Sequence, residues 1–228
     1  EGETEATFFT QLRGNDGRAW VQYGSIRVRS IAGWKPGVSF SNRLNNSRAD
    51  APTMYELDTS GEGGQLYMNA IEASKQKAEY GASVYVYSAE EYSGMRLFMS
   101  KDGTSGFALK GNDIVSVFST KEGASGAVLT MLELGMEQGG RRLDAFDTVL
   151  PDMYALHGFE VVARVPFDDS KAEEMGWDYE TFKAFNGGRP DVVYMAYTAN
   201  KSREYKREGK RVETSAQAEA IKAAVVEA

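Results

Sequence analysis

The sequence predicts an α/β protein of the α+β type, in which helices flank a mixed and mostly antiparallel central sheet. Between residues 95 and 119, three short apolar runs are separated by the breaks "KDGTS" and "KGND", whose Asp, Gly and Asn residues are typical of tight hairpin turns. From residue 127 onwards, segments with helical spacing alternate with strand-like segments. A meander followed by this alternation indicates one sheet with helices packed against it.

Residues 1–60 are predicted to form a β-rich extension. The segments "RAWVQYGSIRVRSI" and "TMYELDT" have the residue types of strands, and turn-rich segments lie beside them. Ile26 and Val28 alternate with Arg27 and Arg29, which is typical of a strand with one face in solvent.

A first helix is predicted in "QLYMNAIEASKQKAEYGA", residues 65–82, with Gly81 as its stop signal. Its apolar face is predicted to consist of Leu66, Ala70 and Ala73, with Ile71 beside them. Residues 127–140 predict a second, more apolar helix that ends at paired glycines. Its apolar face is predicted to consist of Val128, Leu129, Leu132 and Met136.

Beyond the second helix, the chain is predicted to alternate between strands and short helices. "RRLDAFDT" and "FEVVARVPF" are strand-like, and "LPDMYALHG" between them is a short helix with Pro151 in its first turn. "DDSKAEEMGWDYETFKAFNGGRP" predicts a long loop or short helix before the strand "DVVYMAYT". Residues 61–199 are therefore predicted to form the main domain, and residues 200–228 a basic linker with a C-terminal helix.

The composition excludes several kinds of protein. The absence of cysteine excludes disulfides and a cysteine nucleophile, and the single histidine argues against zinc, so no metal site is expected. The net charge of −7 argues against a general nucleic-acid coat. No apolar run approaches the length of a membrane span, and the start "EGETEATFF" is unlike a signal peptide. We therefore expect no membrane partner and no secretion through a signal peptide, and the start at Glu1 suggests a processed chain or a fragment.

The segment "VSVFSTKEGASGAVLTML" joins a strand to a helix through a loop with two glycines. Free N–H groups in the first turn of a helix, together with the helix dipole, favour bound negative charge, so this loop is a candidate phosphate site. It matches neither GxxxxGK[ST] nor GxGxxG, which argues against a nucleoside triphosphate or a dinucleotide. A plain connection from strand to helix is the alternative interpretation.

These residues resemble the GNAT superfamily of N-acetyltransferases over residues 85–198. Members combine a β-meander, a diphosphate loop of the form [RQ]xxGx[GA] that opens a long helix, a strand, a short helix with a Tyr, and a Gly-Phe start to the next strand. Here "KEGASG" is similar to the loop, with Lys121 in place of Arg or Gln and Ala124 in place of the first Gly, and "YALHGF" matches the frequent Tyr-x-x-x-Gly-Phe. "GFALKG", "GGRRLDAFDT" and "GRPDVVYM" also resemble acetyltransferase-like domains encoded by bacteriophages.

The resemblance implies an enzyme that transfers acetyl from acetyl-CoA to an amine-bearing acceptor, either a small molecule or a protein. It implies that the pantetheine arm binds backbone groups around Val117, Phe118 and Ser119. It implies that the diphosphate binds the loop residues Lys121, Gly123, Ala124, Ser125 and Gly126. Tyr154 would protonate the departing thiolate, because a phenol with a pKa of about 10 is well matched to a thiol with a pKa of about 8.5. The phage resemblance implies a protein of the host cytoplasm or the virion, with other phage proteins as partners.

Each candidate residue has a structural alternative. Asp147 is the candidate base for the incoming ammonium, and a cap of the following helix is the alternative. For Tyr154 the alternative is an aromatic wedge between helix and sheet. Asp144 lies three residues before Asp147, so the two point to opposite faces of the strand and cannot form a carboxylate pair. Asp113 is predicted to be a hairpin turn residue, and His157 to satisfy backbone carbonyls at the end of the short helix.

Two other functions stay open on the sequence. One is a non-catalytic interaction or virion-associated module that keeps the fold. The other is attachment to nucleic acid through residues 200–211, which hold six Lys or Arg against two Glu, although a solvated linker is the simpler interpretation. A group of aromatic residues is predicted to form a lid over the sheet edge, with an acceptor pocket as the alternative: Trp177, Tyr179, Phe182 and Phe185.

Overall fold

The computed structural model describes residues 10–13, 19–23, 26–30, 54–100, 103–120, 127–198 and 203–227. The strands in these ranges are β1 Thr10–Arg13, β2 Ala19–Tyr23, β3 Ile26–Ser30, β4 Met54–Leu57, β5 Arg96–Ser100, β6 Ser105–Lys110, β7 Asp113–Ser119, β8 Arg142–Phe146, β9 Phe159–Val165, β10 Val192–Tyr197 and β11 Lys210–Arg211. The α-helices are α1 Gly63–Lys77, α2 Ala89–Ser93, α3 Ala127–Glu137, α4 Leu150–Ala155, α5 Ala172–Met175 and α6 Ser215–Glu227.

The strands of the described ranges form one sheet in the order β1-β2-β3-β4-β5-β6-β7-β8-β10-β9-β11. Neighbouring strands are antiparallel except for the pairs β7–β8 and β9–β11, which are parallel. The predicted mixed, mostly antiparallel sheet is therefore confirmed. The division of the chain at residues 60 and 199 stays a prediction, although β4 pairs with β5 and so joins the N-terminal strands to the same sheet.

Strands β5 to β7 form the predicted meander. Gly103 and Gly111 lie in its two connections with φ of 70° and 60°. These values fall in the left-handed region, which glycine enters without steric cost. The turn residues in the sequence therefore set the positions of the strand ends.

The helices cover both faces of the sheet. On β5, Phe98 packs into the cluster that contains Met131 of α3, whereas its neighbour Leu97 packs with Tyr67 of α1. Because successive side chains on a strand point to opposite faces, α3 and α1 lie on opposite faces. The same alternation on β10 places α4 on the face of α3, and α6 on the face of α1.

Two predictions about α1 are wrong. The helix ends at Lys77, four residues before the predicted stop at Gly81. Its buried side is set by Tyr67 and Ile71, whereas Ala73 is exposed. The predicted face was chosen from aliphatic residues and leaves out Tyr67. Because the Tyr67 ring is buried, the buried face of the helix is shifted by about one residue from the predicted face.

The predicted single apolar face of α3 is also too narrow. Thr130, Glu133 and Gly135 are buried along with the apolar residues of the helix. The helix packs on β6 and β7 with one side, and Glu133 on another side lies 3.7 Å from His157, two residues beyond α4. Contacts on several sides leave little of α3 in solvent.

Gly106 of β6 is a position with no room for a side chain. A Cβ atom there would lie 2.5 Å from Phe118 Cε1 and 2.9 Å from the carbonyl oxygen of Phe98. We expect Gly106→Ala to lower the free energy of unfolding by about 2 kcal/mol, a usual cost of overpacking, as measured by urea denaturation. Gly61→Ala is the matched control, because nothing lies within 4 Å of a Cβ at that position. Equal effects of the two substitutions would contradict the packing argument.

Candidate functional site

The parallel strands β7 and β8 separate almost as soon as they meet. Within the described ranges, the two strands pair at one position, where Asp113 lies opposite Arg142. The Asn112 carbonyl supports this junction by accepting hydrogen bonds from the N–H groups of Arg141 and Arg142 at 2.8 and 3.1 Å. Both strands then continue without further pairing to each other. A gap therefore opens between them in the middle of the sheet.

Beyond Asp113, no strand in the described part of the chain pairs with the gap-side edge of β7. Phe118 and Ser119 pair with β6 through the other edge, so the gap-side backbone groups around Val117, Phe118 and Ser119 are available to an extended ligand. Thr120 follows, and its hydroxyl oxygen is buried without a hydrogen-bond partner among the described residues. A buried hydroxyl of this kind is uncommon, and Thr130 of α3 has another.

A β-bulge at Ser116 interrupts β7 beside the gap. The β6–β7 register shifts between Gly106 and Ala108, and Ser116 has a φ of 51°, which is uncommon for a residue with a Cβ atom. Two tyrosines hold the bulge. The Tyr67 hydroxyl donates to the Ser116 carbonyl at 2.8 Å, and the Tyr92 hydroxyl is 2.9 Å from Ser116 Oγ. A bulge supported in this way is typical of functional sites.

Tyr154 of α4 lies in the hydrophobic cluster between the sheet and the two helices α3 and α4. Val117 of β7 packs against the same cluster, so the predicted acid and the predicted pantetheine strand contribute to one hydrophobic cluster. Tyr154 is only 3% exposed. Burial, with a smaller contribution from the Asp144 carboxylate, raises the pKa of Tyr154 above its ordinary value. The phenol is therefore held in its protonated form, and its role as an acid stays a prediction.

Asp147 follows β8 directly, and both of its carboxylate oxygens are engaged. Arg164 donates to Oδ2 at 2.7 Å and the Tyr205 hydroxyl donates to Oδ1 at 2.7 Å. Arg164 also donates to Asp191 at 2.8 Å. The N-cap of α4 is Val149, and no side chain caps the helix, so the alternative role of Asp147 as a cap is wrong. Its role as a base stays a prediction.

The predicted diphosphate loop lies outside the described residues; it contains Lys121, Gly123, Ala124, Ser125 and Gly126. The elements around it are described. The loop leads from the open edge of β7 to the start of α3. α3 packs on β6 and β7, and α4 packs on β8 and β9, so the two helices cover the same face of the sheet on either side of the gap.

A buried lysine lies at the closed end of the gap, on the face of α6. Lys222 has a side chain that is 1% exposed, and its Nζ is 2.8 Å from Asp113 Oδ1, 3.2 Å from Asp144 Oδ1 and 3.1 Å from Glu219 Oε2. Arg142 donates to the other oxygen of Asp113 at 2.6 Å. Burial alone would lower the pKa of Lys222, but the carboxylates, Asp144 foremost, raise it above its ordinary value. Asp113 is thus part of a charged network rather than a simple turn residue.

His157 occupies the place that the sequence predicts. Its Nδ1 lies 3.1 Å from the Met153 carbonyl oxygen at the end of α4. The predicted aromatic group is packed as well: the rings of Trp177 and Phe182 stack at 3.7 Å. Tyr179 and Phe185 pack against the same cluster, and so does Phe146 at the end of β8. Whether this group lines an acceptor pocket stays a prediction.

Comparisons with known proteins give one distant similarity. No protein-family model matches the sequence, and no curated protein matches it significantly. Among solved structures, the chain is similar to the crystal structure of Rv2747 from Mycobacterium tuberculosis in complex with CoA and NLQ, with 14% sequence identity and a TM-score of 0.32. The match covers 55% of this chain and 93% of that one. At this identity and TM-score, the similarity assigns neither a fold nor an activity to the chain.

The described ranges contain neither a candidate membrane-spanning helix nor a candidate metal cluster. No helix there is both long enough and apolar enough to cross a membrane. In the same ranges, no group of three or more His, Cys, Asp or Glu residues is arranged to hold a metal ion.

Alkaline pH is expected to destabilise the protein. Burial raises the pKa of Tyr67 and Tyr154, and burial together with the Asp144 carboxylate raises the pKa of Tyr87 to about 12. The unfolded chain loses these protons near pH 10, whereas the folded chain keeps them. The stability is therefore fully present below about pH 10 and is lost as the pH rises through the folded pKa values.

Urea denaturation between pH 9 and 12 measures this loss. The free energy of unfolding is expected to fall by up to about 1.4 kcal/mol per pH unit for each such tyrosine. Tyr154→Phe removes one of these groups and should make the decline shallower. A decline of the same steepness in Tyr154→Phe would show that the phenol does not contribute to it.

Proposed function

We propose that the protein binds acetyl-CoA in the gap between β7 and β8 and transfers its acetyl group to an amine. The observation that carries the proposal is the early separation of these parallel strands. It leaves residues 117–119 with an open backbone edge directly before the loop that leads into α3. The bulge at Ser116, which Tyr67 holds, directly precedes these residues in β7.

The ligand contacts in this proposal come from backbone groups and from the loop. The open edge of β7 pairs with the amides of the pantetheine arm, as a strand pairs with an extended peptide. The loop and the first turn of α3 supply free N–H groups to the diphosphate through Gly123, Ala124, Ser125 and Gly126. Lys121 adds a point charge to the diphosphate rather than a two-pronged contact.

The transfer in this proposal needs no covalent intermediate on the protein, which fits a chain without cysteine. The amine nitrogen attacks the thioester carbonyl carbon, and the carbon–sulfur bond breaks. Tyr154 gives its proton to the departing sulfur and regains one from solvent. The products are an amide and a thiol, and the acceptor ammonium releases one net proton. Asp147 is the carboxylate that the sequence nominates to receive that proton.

A non-catalytic module is the second candidate, and the burial of the nominated catalytic residues favours it. Tyr154 is 3% exposed, and both oxygens of Asp147 are held by Arg164 and Tyr205. In this case the fold serves as a scaffold for contacts with other proteins. A phage origin would place the protein in the host cytoplasm or in the virion, whether it is an enzyme or a non-catalytic module.

Binding of acetyl-CoA separates the two candidates. A ligand at about 100 times its dissociation constant should stabilise the folded protein by about 2.7 kcal/mol, which is measured as a rise in the thermal unfolding temperature. Free pantetheine and adenosine bisphosphate are the controls, because each carries only part of the ligand and should stabilise less. No shift with millimolar acetyl-CoA would favour the non-catalytic module.

Tyr154→Phe tests the proposed acid. We expect kcat to fall by about 100-fold or more, with little change in the dissociation constant of acetyl-CoA, because the ring still fills the cluster. Tyr197→Phe is the matched control, since Tyr197 packs against the same cluster and is not assigned to the reaction. Similar losses of turnover and acetyl-CoA binding in Tyr154→Phe would assign Tyr154 to packing instead.

A further inference from the structure

We propose that Glu133 of α3 and His157 beyond α4 are positioning residues, which fix α4 on α3 and thereby set the place of Tyr154. This inference rests on the proposed function, because it adds the residues that hold the acid of the same transfer. Neither residue is assigned a contact with acetyl-CoA or with the amine. Both act through the backbone of α4, which carries Tyr154.

Glu133 and His157 meet in the interior of the protein. Both residues are 2% exposed, and Glu133 Oε1 lies 3.7 Å from His157 Nε2. The neighbours of Glu133 on α3, Leu132 and Leu134, belong to the cluster that contains Tyr154. A carboxylate in such surroundings is costly unless polar groups compensate it. The pair therefore favours one separation and one orientation of the two segments.

The other ring nitrogen of His157 holds the end of α4. Nδ1 lies 3.1 Å from the Met153 carbonyl oxygen. Because a carbonyl oxygen only accepts, Nδ1 carries the hydrogen of this contact. The backbone N–H of His157 donates to the Tyr154 carbonyl oxygen at 3.0 Å. His157 therefore binds the backbone at residues 153 and 154 and reaches α3 with Nε2.

α4 depends on support of this kind because it is short. It has six residues, and a helix of that length is not stable by itself in water. No side chain caps its first turn, and the flanking residues Val149 and Leu156 are 45% and 39% exposed. The place of Tyr154 is therefore set by contacts between α4 and the rest of the fold, and the Glu133–His157 pair is a directional contact among them.

α3 is a suitable support for the acid in the proposed function. It packs on β6 and β7, and the loop proposed to bind the diphosphate leads into it. Glu133 lies near the middle of this helix, which spans Ala127–Glu137. The pair consequently links the helix beside the acetyl donor to the helix of the acid. A misplacement of about 1 Å between reacting groups can lower a rate by about 100-fold.

Two substitutions of His157 separate the contacts of its imidazole. The amide nitrogen of Asn takes the place of Nδ1, so His157→Asn can still donate to the Met153 carbonyl but does not reach Glu133. The longer side chain in His157→Gln reaches Glu133. With acetyl-CoA and n-butylamine, we expect His157→Asn to lower kcat by about 10- to 100-fold, without a change in the dissociation constant of acetyl-CoA. His157→Gln should keep more of the turnover, and a lower kcat in His157→Gln than in His157→Asn would overturn the inference.

A change of both partners distinguishes positioning from stability. Glu133→Met combined with His157→Leu replaces the pair by apolar groups of similar size, which commonly restores the stability that is lost when one partner is removed. We expect a thermal unfolding temperature close to that of the wild type, but a kcat that is still lowered by about tenfold or more. Recovery of both quantities would show that the pair serves for stability alone.

The matched control lies on the same helix. Glu137 is one turn after Glu133 and is exposed. Glu133→Gln removes the carboxylate that faces Nε2 and should lower kcat by about tenfold or more, whereas Glu137→Gln should leave kcat unchanged. Equal effects of the two substitutions would contradict the positioning role.

NMR without acetyl-CoA separates this inference from the proposed function. His157 is the only histidine of the chain, so its ring nitrogens are assigned directly, and we expect a hydrogen on Nδ1 in the wild type. In Glu133→Gln we expect exchange of the His157 backbone amide to be faster by about tenfold or more, while amides of β6 and β7 keep their rates. The ring resonances of Tyr154, assigned with Tyr154→Phe, should shift.

These results would support the positioning of Tyr154 even if acetyl-CoA does not bind. Unchanged amide exchange together with unchanged Tyr154 resonances in Glu133→Gln would overturn it, and so would a wild-type Nδ1 without a hydrogen. If Glu133→Gln fails to fold, His157→Asn takes its place in the same measurement, with the Tyr154 resonances as the readout.

Discussion

The early separation of β7 and β8 determines every other feature of the site. Two neighbouring parallel strands would normally continue to pair, because unpaired backbone groups are costly. Here β8 pairs with β10 on its other side along five residues, and the bulge at Ser116 bends β7 at the level of the gap. Tyr67 and Tyr92 fix that bulge from the face of α1 and α2. The gap is therefore built into the sheet, and the helices are placed around it.

A buried charge closes the other end of the gap. A lysine with 1% of its side chain exposed is stable only if its charge is compensated. Lys222 is compensated by carboxylates from β7, β8 and its own helix, so α6 is attached to the sheet beside the place where the two parallel strands join. Apolar contacts of Ala218 hold the same helix to β9 and β10. Charge at the junction and apolar packing beside it together orient α6.

Local patterns in the sequence were enough for most of the fold but not for the site. The turn glycines of the meander, the apolar run of α3 and the strand pairs around α4 depend on neighbouring residues, and they were predicted. The role of Lys222 depends on Asp144, which is 78 residues away. The state of Asp147 depends on Tyr205, which is 58 residues away. Strand alternation indicates that Asp144 and Asp147 point to opposite faces. Contacts between residues that are far apart in the sequence decide which of the two carboxylates stays accessible to solvent.

The burial of Tyr154 can be reconciled with a role as an acid. In the proposed function, the apolar surroundings that raise the pKa of the phenol would also raise the pKa of a thiol departing beside it, because burial disfavours both anions. The pKa values of the phenol and of the thiol then stay matched, although both are raised. A buried tyrosine that serves only for packing normally finds a partner for its hydroxyl, as Tyr67 and Tyr92 do. Among the described residues, none forms a hydrogen bond with the Tyr154 hydroxyl, and burial is the main cause that raises its pKa. Within the proposed function, a hydroxyl that no described residue engages can donate to a substrate atom without giving up another contact.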